Sequence, residues 1–242
     1  MCCKTHNEAA GRYDIMTMHR GGGEISDESA SALSRAIDET RGELVIIWIN
    51  GAFGAGKTQT AFELHRRMPG SFFYDPENIG YFIRKRIPRQ LAKDDFQDFT
   101  MWREWNRSML SYLNKEYPGT IVVPMTVANP VYFEEIVGRL RVEGTTVHHF
   151  TLWASKETLR RRLRKRGEKD GSWAERQIDR CMEGLSGDVF RQHIETDAMT
   201  VEETAERIAA LTGVRLLPDD RGPFRRKLDR VLTQVRHIRF FN

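Results

Sequence analysis

Gly51-Ala52-Phe53-Gly54-Ala55-Gly56-Lys57-Thr58 fills every fixed position of the pattern G-x-x-x-x-G-K-[ST]. The chemistry of that pattern is polyphosphate binding. Its glycines let successive backbone N–H groups curl around phosphate oxygens, and the N-terminus of a following helix adds partial positive charge. Lys57 is placed to bridge the β- and γ-phosphates of a nucleoside triphosphate and the Thr58 hydroxyl to take a Mg²⁺ position, with Gln59 closing the stretch. The plain alternative is a glycine-rich turn with a chance lysine. The context speaks against it: the apolar run Leu44 to Ile49 precedes the motif as a buried strand would, and a helical pattern follows from Thr58 to Met68. ATP or GTP with Mg²⁺ is the expected ligand.

A second candidate is Asp75, 18 residues past Lys57, at the end of the apolar run Ser71 to Tyr74. In a doubly wound sheet that edge faces the ligand crevice, so a carboxylate there would take a proton from an attacking hydroxyl or hold metal-bound water. Asp75-Pro76-Glu77-Asn78 also reads as a helix start with proline in the first turn, and one residue can serve both roles. The third run ends Pro124-Met125-Thr126 without an acid, so the aspartate that motor ATPases and GTPases carry is missing there. That points away from a conformationally driven ATPase and towards a small kinase, with metal held by Thr58, Asp75, phosphates and water.

Arg160 to Arg166 holds six basic residues in seven, with Leu159 and Leu163 keeping one helical face apolar. A solvated charged face and a nucleic-acid patch are alternatives, the second lacking interleaved aromatics. The preferred reading is a lid: helix, a tip at Gly167 to Gly171, then a return helix starting with Arg176 and Arg180. Arg162 and Arg166 are its expected inward arginines, stabilising charge on the transferred phosphoryl group. The acceptor side is expected in the insert Ile79 to Tyr117, where large aromatics and arginines alternate. Phe82, Arg84, Trp102, Arg103 and Trp105 are its candidate substrate residues. Phe99, Trp102 and Trp105, three apart, fit a core stripe equally well. His148-His149 lacks a partner for metal binding, and Cys181 reads as packing.

The elements that position these groups follow from the apolar pattern. The chain has 242 residues, 40% hydrophobic and 30% charged, with net charge +4. That suits a folded domain with a sizeable core. Short apolar runs at Leu44–Ile49, Ser71–Tyr74, Thr120–Met125, Thr146–Leu152 and Val189–Glu195 alternate with helical patterns near 57–68, 77–116, 130–143, 155–166, 173–184 and 201–212. Strand and helix alternating in this way predict an α/β, P-loop kinase-like three-layer sandwich with a five-stranded parallel sheet, a helical lid and a C-terminal amphipathic helix. Residues 1–28 read as a disordered leader, 29–217 as the domain and 218–242 as a linker and basic helix, with a short helix possible at 30–40. No apolar run reaches the roughly 18 residues of a membrane span, and no secretory signal opens the chain. Three cysteines make no disulfide framework, so a reducing cytoplasm is expected.

Phe224, Leu228, Val231, Leu232, Val235, Ile238 and Phe241 form an apolar stripe at helical period. Arg225, Arg226, Lys227, Arg230, Arg236 and Arg239 fill the other side, opposed only by Asp229. The helix is expected to rest on an anionic membrane surface. Packing on its own domain or on a second subunit would not need so cationic a back.

Beyond the phosphate loop, four stretches carry a specific resemblance. Ile47 to Gly54 continuing through Arg67, Ala92-Lys93-Asp94-Asp95-Phe96, Val147 to Leu152 continuing through Leu159, and Gln177-Ile178-Asp179-Arg180-Cys181 resemble the ATP-binding tunicamycin resistance proteins of bacteria. The resemblance spans about residues 45 to 239. It implies a nucleoside-monophosphate-kinase-like P-loop fold, a nucleotide site at Gly51 through Thr58, and protection against tunicamycin, a uridine-containing antibiotic. Small kinases keep an aspartate at the strand end that Asp75 occupies and use it on the acceptor hydroxyl. The leading expectation is phosphorylation of a hydroxyl of tunicamycin or a related nucleoside. The alternative is ATP-dependent sequestration of the unmodified drug, and nucleic acid is not an expected partner.

Overall fold

The computed structural model describes residues 45–237. The leader, the helix expected at 30–40, Cys2, Cys3, and Ile238, Arg239 and Phe241 of the stripe lie outside the described residues, as do the side chains of Lys227, Val235 and Arg236. Five parallel strands form one sheet: β1 (Val45–Gly51), β2 (Phe72–Phe73), β3 (Ile121–Pro124), β4 (Thr146–Trp153) and β5 (His193–Glu195), in the order β2-β3-β1-β4-β5. β1 is central and buried along its whole length, as a continuous apolar run between two helical layers must be. Its Trp48 lies opposite Val123 on one side and His149 on the other. The weakest sequence signal, Val189–Glu195, gives only a three-residue strand, because Asp188–Phe190 turns as a 3-10 helix instead.

Helices cover the sheet. α1 (Lys57–Arg67) leaves the phosphate loop and packs on β1 and β3. The expected helical stretch 77–116 divides into α2 (Glu77–Arg86), two 3-10 turns (Arg89–Leu91 and Phe96–Asp98) and α3 (Thr100–Glu116). Pro88 explains the division: it disfavours helical backbone in the residue before it, and Ile87 is extended. After β3, α4 (Pro130–Phe133), capped by the Asn129 side chain, passes through a π-helical stretch (Glu134–Gly138) into α5 (Arg139–Val142), which leads to β4. The lid segment comprises α6 (Lys156–Lys165), α7 (Trp173–Arg176) and α8 (Ile178–Leu185), with Ser155 and Ser172 capping the first two. α9 (Val201–Thr212) starts with a capping box between Thr200 and Glu203 and packs on α1; α10 (Pro223–His237) follows.

A buried polar staple fixes the strand ends that carry the site. Asn50 Oδ1 accepts the N–H groups of Gly51 (2.8 Å) and Val127 (3.0 Å), and its Nδ2 donates to Val127 O (2.9 Å) and His149 Nε2 (3.3 Å). The end of β1, the exit of β3 and the middle of β4 are thereby tied to one side chain. Among the described residues, no helix is long and apolar enough to cross a membrane.

Candidate active site

The phosphate loop leaves β1 at its Gly51 end and enters α1 through Gly56, whose left-handed backbone (φ 102°) turns the chain into the helix. A Cβ on Gly56 would meet nothing within 4 Å, so the loop encloses open space of the kind a phosphate fills. Gly54 is constrained from the opposite side. Its φ is +86°, and a Cβ there would stand 2.8 Å from the backbone oxygen of Leu159, so the loop is seated directly on α6. Lys57 Nζ donates to Gly51 O (3.0 Å) and Ala52 O (3.1 Å) and lies 5.5 Å from the Phe53 ring centre. Withdrawal from water lowers this ammonium to about 8, although Cys181 and Glu77 pull it upward. The Thr58 hydroxyl makes no hydrogen bond among the described residues. Open cradle, cation and available hydroxyl fit a Mg²⁺–triphosphate. No three His, Cys, Asp or Glu gather into a metal site among the described residues.

The two inward arginines separate in role. Arg162 donates to Ala55 O (3.3 Å), Thr196 Oγ1 (3.2 Å) and Thr196 O (2.5 Å), bracing the phosphate loop against the loop after β5. The Arg166 side chain makes no hydrogen bond or ion pair among the described residues, and its charge is felt by Lys57. Trp173 of α7 packs edge-on against Phe53 at 5.0 Å. Arg160 and Arg164 pair with Glu175 and Asp170 within the lid. On the other side of the loop, Asp75 follows β2 with its Oδ1 accepting the Glu77 N–H at 3.0 Å, so the helix-start geometry expected of it is present. Glu77 is a carboxylate that the sequence reading used only as helix punctuation; it acts electrostatically on Lys57 and accepts from Tyr81 Oη at 3.2 Å.

Beside Phe53 opens a cavity of about 400 Å³. It is lined by the 3-10 turn at Phe96–Asp98, the loop after β3 and the start of α8, and its polar wall includes Asp95, Gln97, Asp98, Asn129, Tyr132 and Arg180. Arg180 pairs with Asp95 at 3.1 Å, Tyr132 donates to Asp98 at 2.9 Å, and Gln97 Nε2 reaches Thr126 O at 2.9 Å. Thus two of the four resembling stretches, 85 residues apart, meet as one ion pair at the cavity. That recurrence was the available signal for Asp95 and Arg180; for Asp98, Asn129 and Tyr132 the sequence offers none.

None of the six expected substrate residues, Phe82, Arg84, Trp102, Arg103, Trp105 and Asp75, lines this cavity. Trp102 is fully buried, its indole N–H donating to Pro76 O, and belongs to the core with Phe96 and Phe99. Arg103 is buried beneath the cavity wall, paired with Glu135 and 4.1 Å from the Tyr132 ring centre, so it props Tyr132. Arg84 donates to Asp94 O, while Phe82 and Trp105 are exposed 6.1 Å apart on α2 and α3.

The phosphate helix also has a partner at its back. Gln59, expected in the nucleotide site, donates to Arg230 O of α10 at 3.0 Å. Arg221 binds Glu63 of α1 (2.6 Å), Asp219 (2.7 Å) and Asp229 (2.8 Å), Arg226 pairs with Asp219, and Arg230 with Glu202. Hydrogen bonding to Arg221 holds Asp219 well below the usual carboxylate range. Two of the six basic residues on the back of the helix, Arg226 and Arg230, therefore hold it to its own domain. Phe224, Leu228, Val231 and Leu232 remain exposed.

The AAA domain family matches residues 46–187 of the chain. Among solved structures, the tunicamycin resistance protein of Deinococcus radiodurans is similar at 36% identity and a TM-score of 0.64, over 72% of this chain and 99% of that one. A sugar kinase from Janibacter sp. HTCC2649 shares the fold at 14% identity and a TM-score of 0.50, over 70% of this chain and 95% of that one. No curated protein matches.

Proposed function

The chain belongs to the AAA domain family and to the family of the D. radiodurans tunicamycin resistance protein, and from that premise we propose that it transfers the γ-phosphoryl group of ATP to a hydroxyl of tunicamycin or a related nucleoside. The observation that carries this reading is the juxtaposition of an open phosphate cradle with a polar cavity, Phe53 belonging to both. Backbone N–H groups of the loop and Lys57 bind the β- and γ-phosphates, and Arg166 faces the charge that develops between them. Thr58 and Asp75 would hold a Mg²⁺ ion, which would supply further neutralisation of the phosphates. Asp75 takes the proton of the acceptor hydroxyl as its oxygen bonds to phosphorus and the bond to the ADP oxygen breaks. Asp95, Asp98, Asn129 and Tyr132 suit an acceptor rich in hydroxyl and amide groups, such as a sugar or a nucleobase.

A second reading, sequestration of the unmodified drug, is favoured by the engagement of Asp75 Oδ1 as a helix cap. For the C-terminal helix the proposal is peripheral contact with an anionic membrane surface through the outward stripe of Phe224, Leu228, Val231 and Leu232. Mass spectrometry of tunicamycin incubated with protein, Mg²⁺ and ATP decides between transfer and sequestration. Transfer predicts a phosphoryl mass increment lost in Lys57→Ala and strongly reduced in Asp75→Asn. Unchanged drug recovered from a tight complex would establish sequestration, and neither product nor complex would refute both.

A further inference from the structure

α2 and α3 present a face that nothing among the described residues covers. At 100° per residue, Met101, Trp105, Met109 and Tyr112 fall within about 80° of one another on α3. All four are exposed, opposite the buried Trp102, Arg103, Asn106 and Leu110. Phe82 of α2, 52% exposed, extends the face across to Trp105. A surface with this many exposed large apolar side chains in one stripe marks an interaction site.

Its rim is basic. From Asn78 to Lys93 the chain carries Arg84, Lys85, Arg86, Arg89 and Lys93 and no acid. Lys85 and Arg89 are exposed and their side chains make no hydrogen bond or ion pair among the described residues, and Arg86 lies over the Phe82 ring at 5.7 Å. Glu104 is the lone acid on α3 between 101 and 112.

We propose that this α2–α3 face docks on an anionic lipid surface, with Phe82, Trp105 and Tyr112 at the headgroup level and Lys85, Arg86 and Arg89 among the lipid charges. Trp and Tyr favour that boundary, and basic side chains reach charged headgroups while their stems lie along apolar surface. Charge decides against a second copy of the chain: a two-fold interface would set the three basic residues against their own counterparts. It is the methionines and Leu91, also exposed, that decide against single-stranded nucleic acid, because they offer no ring for a base to stack on. The proposal is independent of phosphoryl transfer and of the C-terminal helix.

The test is co-sedimentation of the full chain with vesicles of phosphatidylcholine alone and of phosphatidylcholine and phosphatidylserine in equal parts. Binding to the anionic vesicles is expected to fall about a hundredfold in Lys85→Gln/Arg86→Gln/Arg89→Gln, at roughly one basic contact's worth per residue. Phe82→Ser/Trp105→Ser is expected to lose about tenfold or more, and a control, Leu228→Ser/Val231→Ser, separates the C-terminal helix. Because all of these positions are exposed, unchanged thermal midpoints are expected and exclude unfolding as the cause. Wild-type binding in both patch variants, loss confined to the Leu228→Ser/Val231→Ser variant, no vesicle binding at all, or self-association that the patch variants abolish would each overturn the proposal.

Discussion

Acid should weaken this fold through one imidazole. Asn50 Oδ1 accepts two backbone N–H groups, which fixes the amide orientation, so its Nδ2 must donate and His149 Nε2 must be bare. His149 is 4% exposed, and burial, reinforced by the charges of Arg141 and His193, lowers it from 6.5 to about 3. The unfolded chain therefore takes up this proton first. Stability is undiminished above pH 6.5, falls by up to about 1.4 kcal/mol per pH unit below it, and stops falling below about 3. At pH 5 the loss from this group amounts to about 2 kcal/mol. His149→Gln keeps an acceptor for Asn50 but cannot titrate. Urea unfolding at pH 7.5 and pH 5 measures the difference: the variant should lose about 2 kcal/mol less than the wild type over that interval, whatever constant cost the substitution carries. Equal losses in the two proteins would refute both the neutral imidazole and the staple built on it. Because the same staple ties the start of the phosphate loop to the exit of β3, the acid-weakened state should also bind ATP less well.

Three further outcomes follow from the same geometry. With Lys57 lowered to about 8, its charge is lost above that pH; ATP affinity by calorimetry should fall about tenfold between pH 7 and 9. Lys57→Met should bind weakly at both, and an equally steep fall in that variant would assign the titration elsewhere. Gly54→Ala places a methyl 2.8 Å from Leu159 O at a positive φ, so calorimetric melting should show a cost of about 1–3 kcal/mol, with ATP affinity reduced; wild-type behaviour would mean that the loop is not seated on α6. Arg221→Met removes the cation shared by Glu63, Asp219 and Asp229, while Arg66 still pairs with the first two; a loss of about 1–3 kcal/mol in urea unfolding is expected, and less than about 0.5 kcal/mol would remove Arg221 as the anchor of α10.

What the sequence disclosed was what lies in short runs. Leu44 to Ile49 followed by the glycine-rich motif placed β1, the loop and α1 together because strand, turn and helix there are contiguous. The lid helix was legible from the Leu159–Leu163 pair and the basic run around it. The wall of the cavity beside Phe53 was not, since 95–98, 126–132 and 180–184 come together only when the sheet is built. Phe99, Trp102 and Trp105 show the limit within one element. Three-residue spacing turns each successive side chain by 300°, enough to bury Trp102 and expose Trp105, and which one faces inward depends on the neighbouring helix. Arg162 and Arg166 could not be told apart because Thr196, the partner that engages one of them, lies 34 residues downstream. The docking of α10 likewise depended on Glu63, Asp219 and Glu202, acids that no local pattern marks as its partners.

The central place of β1 also sets an order of events during synthesis. The strand is made early, yet Asn50 meets Val127 only 77 residues later and His149 only 99 residues later. At about 5–20 residues per second, Val45 to Ile49 waits roughly 4–20 s for the strands that flank it. For that time the most apolar segment of the domain is an unpaired edge on both sides, a template for the same segment on a neighbouring nascent chain. A chain released before β3 is complete should therefore pellet when the finished protein stays in solution, and a soluble fragment ending at residue 120 would show that β1 tolerates the wait.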